Sequence, residues 1–124
     1  MNIEVSIGEI VDKLSILNIK KNNITEEFKL FNIITEYDYL YNIVFNEMKI
    51  KQSDFSNMVE INQVLWKIED DIRDKERDKV FDTEFIELAR SVYTTNDKRA
   101  EIKKKINLKY GSLFVEEKSY SNYC

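Results

Sequence analysis

The run Met58-Val59-Glu60-Ile61-Asn62-Gln63-Val64-Leu65-Trp66-Lys67-Ile68-Glu69-Asp70-Asp71-Ile72 decides the fold. Its apolar residues Met58, Ile61, Leu65, Ile68 and Ile72 fall 3, 4, 3 and 4 apart, the stripe of a helix that packs antiparallel against neighbours. Ser53, Asp54 or Ser56 can start this helix, and Lys51-Gln52-Ser53-Asp54 reads as the loop before it. Downstream the stripe fails in the charged run Arg73 to Lys79, the solvated end of the helix. Phe81-Asp82-Thr83-Glu84-Phe85-Ile86 then opens a short helix over 83–93, with Asp82 as N-cap and Phe81 stapled to Ile86. Thr94-Thr95-Asn96-Asp97 predicts a break, and a fifth helix follows with Ala100, Ile102, Ile106 and Tyr110 inward and Gly111 as its cap.

Upstream, Ser6-Ile7-Gly8-Glu9 is a capping-box pattern, and Ile10, Leu14, Leu17 and Ile24 continue it as a helix over 7–23. Thr25 can cap a longer helix reaching about residue 50, striped by Leu30, Ile33, Ile34, Tyr37, Leu40, Tyr41, Val44 and Met48. The expected fold is all-α, a compact bundle of four to five helices in one domain over 1–124. Leu113, Phe114, Val115, Tyr120 and Tyr123 give the short C-terminal tail, 112–124, the means to dock, with its conformation left open.

Composition agrees. A chain of 124 residues that is 43% hydrophobic and 34% charged fills one core and coats it with charge, which argues against disorder. It has no stretch of eighteen apolar residues and no secretory pattern after Met1, so we expect a cytoplasmic protein without a membrane role. No His means no Ser-His-Asp triad and no His-held zinc, and two Gly cannot make a P-loop or a dinucleotide fingerprint. The one Cys, Cys124, excludes an intrachain disulfide. A net charge of -4 opposes nucleic-acid binding, and Lys103-Lys104-Lys105 cannot share one helical face. Asn23-Ile24-Thr25 is a chance glycosylation match in this setting.

Two polar clusters invite a function. Glu69, Arg73 and Glu76 line one side of the helix that carries the decisive stripe, beside Asp70, and either face a cleft or form ordinary intrahelical ion pairs. Arg90, Tyr93, Asn96, Asp97 and Arg99 surround the expected break, where free backbone N–H groups and Arg could hold an anion, or where caps and ion pairs explain them. Glu9-x-x-Asp12, Asp71-x-x-Asp74 and Glu84-x-x-Glu87 match pieces of the magnesium pattern of all-helical nucleotide pyrophosphohydrolases, in a different order. Trp66, Tyr37, Tyr39, Tyr41 and Phe45 could make a platform for sugars or bases; their helical spacing equally suits core or a dimer face.

The segments Glu4 to Leu17, Trp66 to Arg73, Phe85 to Tyr93, Asn96 to Arg99 and Glu117 to Tyr120 resemble a family of short bacterial and phage-borne helical proteins of unknown function. Its members often sit among glycosyltransferase and surface-polysaccharide genes, so the resemblance implies a fold and a pathway setting but no mechanism. The same segments contain Asp12, Lys13, Glu69, Asp70, Arg73, Glu76, Arg90, Tyr93, Asn96, Asp97 and Arg99, more polar identity than packing needs. We expect these to converge on one polar pocket that binds a small anionic or sugar-phosphate ligand, with no catalytic residue, metal or cofactor. The protein is then expected to be a non-catalytic accessory of glycan or envelope-polysaccharide metabolism, able to pair through its second helix in a homodimer or with a partner enzyme. The alternatives are a magnesium-dependent hydrolase of nucleotides or nucleotide sugars, and a purely structural interaction module.

Overall fold

A computed structural model describes residues 1–119 and is helical, with no strand among them. Helix α1 spans Ile7–Asn23, α2 Glu27–Tyr41, α3 Gln52–Arg77 and α4 Thr83–Lys109, and a π-helical turn, Asn42–Glu47, extends α2. No helix among the described residues is long and apolar enough to cross a membrane.

The long helices α3 and α4 form an antiparallel hairpin whose register is marked by three ties: Asp54 to Lys109, Asn62 to Arg99, and Lys75 to Asp82. Helix α1 packs against both, and α2 packs mainly on α1. Val11, Leu14, Val44, Ile50, Phe55, Met58 and Ile106 form the core. From the decisive stripe, Met58 and Leu65 are buried, while Ile61, Ile68 and Ile72 are half-buried.

Helix ends follow local chemistry. Ser6 Oγ accepts from Glu9 N at 3.2 Å, but the Glu9 carboxylate turns to Lys103 instead of closing the capping box. The next donors of α1 are met by distant residues: Ile7 N by Ser112 Oγ at 3.0 Å and Gly8 N by Asn107 Oδ1 at 2.6 Å. Glu116 then accepts from Ser6 Oγ at 2.6 Å, laying the residues after α4 across the start of α1. Gly111, at φ 69, ends α4 in a Schellman turn, with Ser112 N donating to Asn107 O at 2.8 Å. Without a second glycine to spare, Lys79 adopts the same left-handed conformation after α3, at φ 56.

Several expected boundaries move. The break at 94–97 does not form: α4 runs unbroken for 27 residues. Thr94 Oγ1 bonds back to the carbonyls of Arg90 and Ser91, Thr95 is buried, and neither Gly nor Pro interrupts the stretch, so packing overrides the capping pattern. Five helices therefore become four. Glu26 rather than Thr25 caps α2, accepting from Phe28 N and Lys29 N at 3.2 Å each. That helix stops being α-helical at Tyr41, where Met48 N reaches Ile43 O at 2.8 Å. Helix α3 begins at Gln52 with no side-chain cap, because Asp54 is drawn to Lys109 and Tyr110. Asp82 does cap α4, accepting from Phe85 N at 3.0 Å. Phe81 packs edge-on against the Phe85 ring at 5.2 Å, and Ile86 is exposed, so the expected staple is replaced by a ring pair. Tyr120, Tyr123 and Cys124 lie outside the described residues.

Candidate functional site

Three helices meet at a buried polar node. Asp12 and Ser15 of α1 are buried, as is Asn62 of α3. The Asn62 amide donates to Asp12 Oδ1 at 2.7 Å and to Ser15 Oγ at 2.6 Å, which commits both of its hydrogens. Ser15 donates in turn to the Asp12 carbonyl at 2.6 Å. From α4, Lys103 Nζ stands 3.5 Å from Asp12 Oδ2 and 2.5 Å from Glu9 Oε2, and Arg99 Nε stands 3.9 Å from Asp12. Two acids thus face two bases. The Ser15 hydroxyl proton is held by a carbonyl and no general base reaches it, so the node fastens helices and offers no nucleophile.

Of the residues expected to converge, the node unites Asp12 and Arg99. Lys13 turns to α2 and pairs with Glu36 at 3.4 Å. Glu69 lies seven residues beyond Asn62, about 10 Å along α3, and pairs with Arg73 on its own helix at 3.3 Å. Glu76 pairs with Lys79 at 3.5 Å, and Asp70, Arg90 and Tyr93 are exposed. Asn96 and Asp97 are half-buried inside the continuous α4, where the free N–H groups of a helix start do not exist. Glu9, Ser15, Asn62 and Lys103 were missed as site residues. Asn62 had a signal, an amide beside Ile61 in the apolar stripe; Lys103 had only its place four residues after Arg99.

A different feature offers room for a ligand. Between α1, α3 and the α2–π segment lies a cavity of about 280 Å³. One wall is aromatic: Tyr37 to Tyr41 at 5.8 Å between ring centres, Tyr41 to Phe45 at 4.7 Å, and Phe45 edge-on to Phe55 at 5.2 Å. The π turn delays the chain so that Val44 enters the core while Phe45 meets Phe55. Opposite stand Gln52, Ser56, Glu60 and Gln63 of α3, with Asn18 from α1. Burial, then the neighbouring Tyr41 and Asp38, pushes the Tyr37 phenol above its ordinary value, so it stays a donor. Lys21 covers one face of the Tyr37 ring at 4.2 Å.

A second cavity, of about 240 Å³, lies between α3 and α4 beside Asn57, Lys105 and Lys109. There Lys109 is already engaged by Asp54 at 2.7 Å. Burial pushes Asp54 up, but the bonds from Lys109 and Tyr110 and the Lys109 charge outweigh it and hold the carboxyl below its ordinary value.

Among the described residues no three His, Cys, Asp or Glu side chains group as metal ligands would. The bundle, its closed polar node and its open aromatic groove define a small helical protein, with no recognisable catalytic constellation among the described residues. Over residues 1–123 the chain matches a family of unknown function, DUF6165, and it belongs to that family. No curated protein and no solved structure matches it.

Proposed function

We propose that this chain is a non-catalytic, small-ligand-binding protein of cytoplasmic glycan or envelope-polysaccharide metabolism, and that the aromatic groove is its seat. The observation that carries the reading is the pairing of the Tyr37-Tyr41-Phe45 wall with the amides of Asn18, Gln52 and Gln63, whose side chains have no hydrogen-bond partner among the described residues. A saccharide ring matches such a surface, since its C–H face packs on an aromatic ring while its hydroxyls bond to amides. At about 280 Å³ the cavity sits just below the roughly 300–1,000 Å³ of pockets for drug-sized ligands, which suits one sugar ring.

The magnesium-hydrolase reading has less support, because five of its six acids, all but Glu87, are answered by cations: Asp12 and Glu9 by Lys103, Asp71 by Lys67, Asp74 by Arg77, and Glu84 by Lys75. A partner role beside ligand binding is favoured by the outer face of α2, where Phe28 is 82% and Phe31 70% exposed.

Thermal unfolding with saccharides, sugar phosphates and nucleotide sugars, each with and without magnesium, tests the reading. A ligand at 100 times its Kd adds about 2.7 kcal/mol, several degrees for a domain of this size. The expected result is a magnesium-independent shift that Tyr41→Ala abolishes. A shift seen only with magnesium would turn the case toward the hydrolase.

A further inference from the structure

Among the groove's lining residues Glu60 carries the only formal charge; the rest are amides, a serine, phenols and apolar groups. Glu60 is exposed and makes no ion pair with any described residue, so its field in the groove is not cancelled at contact range. The nearby cation, Lys21, is placed on the Tyr37 ring, and Lys13 is paired with Glu36. Gln52, Ser56, Glu60 and Gln63 recur at 4, 4 and 3 residues, so one carboxylate and its polar neighbours form a single strip along α3 facing the rings.

We infer that the groove takes a pyranose without phosphate and disfavours its phosphate and nucleotide esters; this rests on the reading of the groove as a saccharide seat. Free hydroxyls find amide donors and acceptors and the Glu60 carboxylate, a strong acceptor. A phosphate monoester instead brings a charge of roughly −1.5 to −2 at neutral pH beside that carboxylate, with no arginine or lysine lining the groove to receive it. Like charges a few ångströms apart at a surface cost on the order of tenfold in affinity, and added salt reduces the cost. Glycosyl transfer consumes donors activated as phosphate esters and extends acceptors that end in free hydroxyls. The groove's chemistry therefore belongs on the acceptor or finished-glycan side of such a reaction, a reading that departs from the expected sugar-phosphate ligand and that the titration below decides.

The side-chain amide signals of Asn18, Gln52 and Gln63 in a ¹⁵N–¹H spectrum report on the groove directly. Titrations would use glucose, galactose and N-acetylglucosamine, each beside its 6-phosphate, and UDP-glucose. The expected result is that at least one free sugar moves these signals, that its 6-phosphate binds about tenfold more weakly at low salt, and that Glu60→Gln closes most of that gap. A phosphate that binds as well as its parent sugar, or a gap unchanged in Glu60→Gln, overturns the charge selection and leaves the groove a binding site. If no sugar of either kind moves the groove signals, the seat itself is wrong and the selection falls with it.

Discussion

Gly8 shows how closely one residue can govern contact between helices. A Cβ placed there would lie 2.6 Å from the Lys103 carbonyl oxygen and 3.0 Å from Asn107 Oδ1. The carbonyl is backbone and cannot swing aside, so α1 must lift from α4 and loosen the Gly8 to Asn107 bond. Overpacking of this kind costs about 1–3 kcal/mol, against up to about 1 kcal/mol gained from alanine's better helix propensity. Gly8→Ala should therefore lose about 1–2 kcal/mol in urea unfolding; a variant as stable as the parent would mean the helices are not in such contact. None of this was legible in the sequence, where Gly8 is one residue of a capping pattern. Asp12 and Arg99 stood out as polar residues in the segments that resemble the family, but they meet through Asn62, which lies 50 residues from Asp12 and 37 from Arg99 in the chain.

At the level of elements, legibility tracked how local the cause is. The cap at Ser6, the cap at Asp82 and the stop at Gly111 each rest on neighbours within a turn or so, and each is where the pattern put it. The break at Thr94 to Asp97 failed because the same side chains can cap a helix or bond back inside one, and burial of Thr95 chooses between these. The π turn had no pattern to announce it. The two ends of the α3–α4 hairpin carry the pH dependence. The Phe85 N–H bond, then Lys75, lowers Asp82 against the opposing effect of burial, and Asp54 is lowered as described. A depressed carboxyl contributes stability above its unfolded pKa, near 3.9, and that contribution is lost as pH falls through the lower folded value. Urea unfolding should thus show the parent more stable than Asp54→Asn/Asp82→Asn at pH 7, with the difference shrinking as the pH falls below the unfolded carboxyl value. A constant difference across that range would assign the loss to packing and not to charge.

At the scale of the whole molecule, α2 is the least enclosed helix. It packs mainly on α1, and Phe28, Phe31 and Tyr39 are 82%, 70% and 64% exposed on it. Aromatic groups clustered this openly are more common at interfaces than on a free surface. We expect sedimentation equilibrium to show concentration-dependent association that Phe31→Asp removes. A parent chain that stays monomeric at millimolar concentration would leave these rings without a partner of their own kind.

The donors at the head of α1 are met by Asn107 and Ser112, and Ser6 by Glu116, about a hundred residues later. A ribosome delivers these acceptors long after the donors they meet. Until then the first helix can pack on α2 and α3, but its leading turn and the side that meets α4 stay open to water, so the nascent chain cannot close its fold residue by residue as it emerges. The contact at the head of α1 closes only once the last turn of α4 and the segment after it come free.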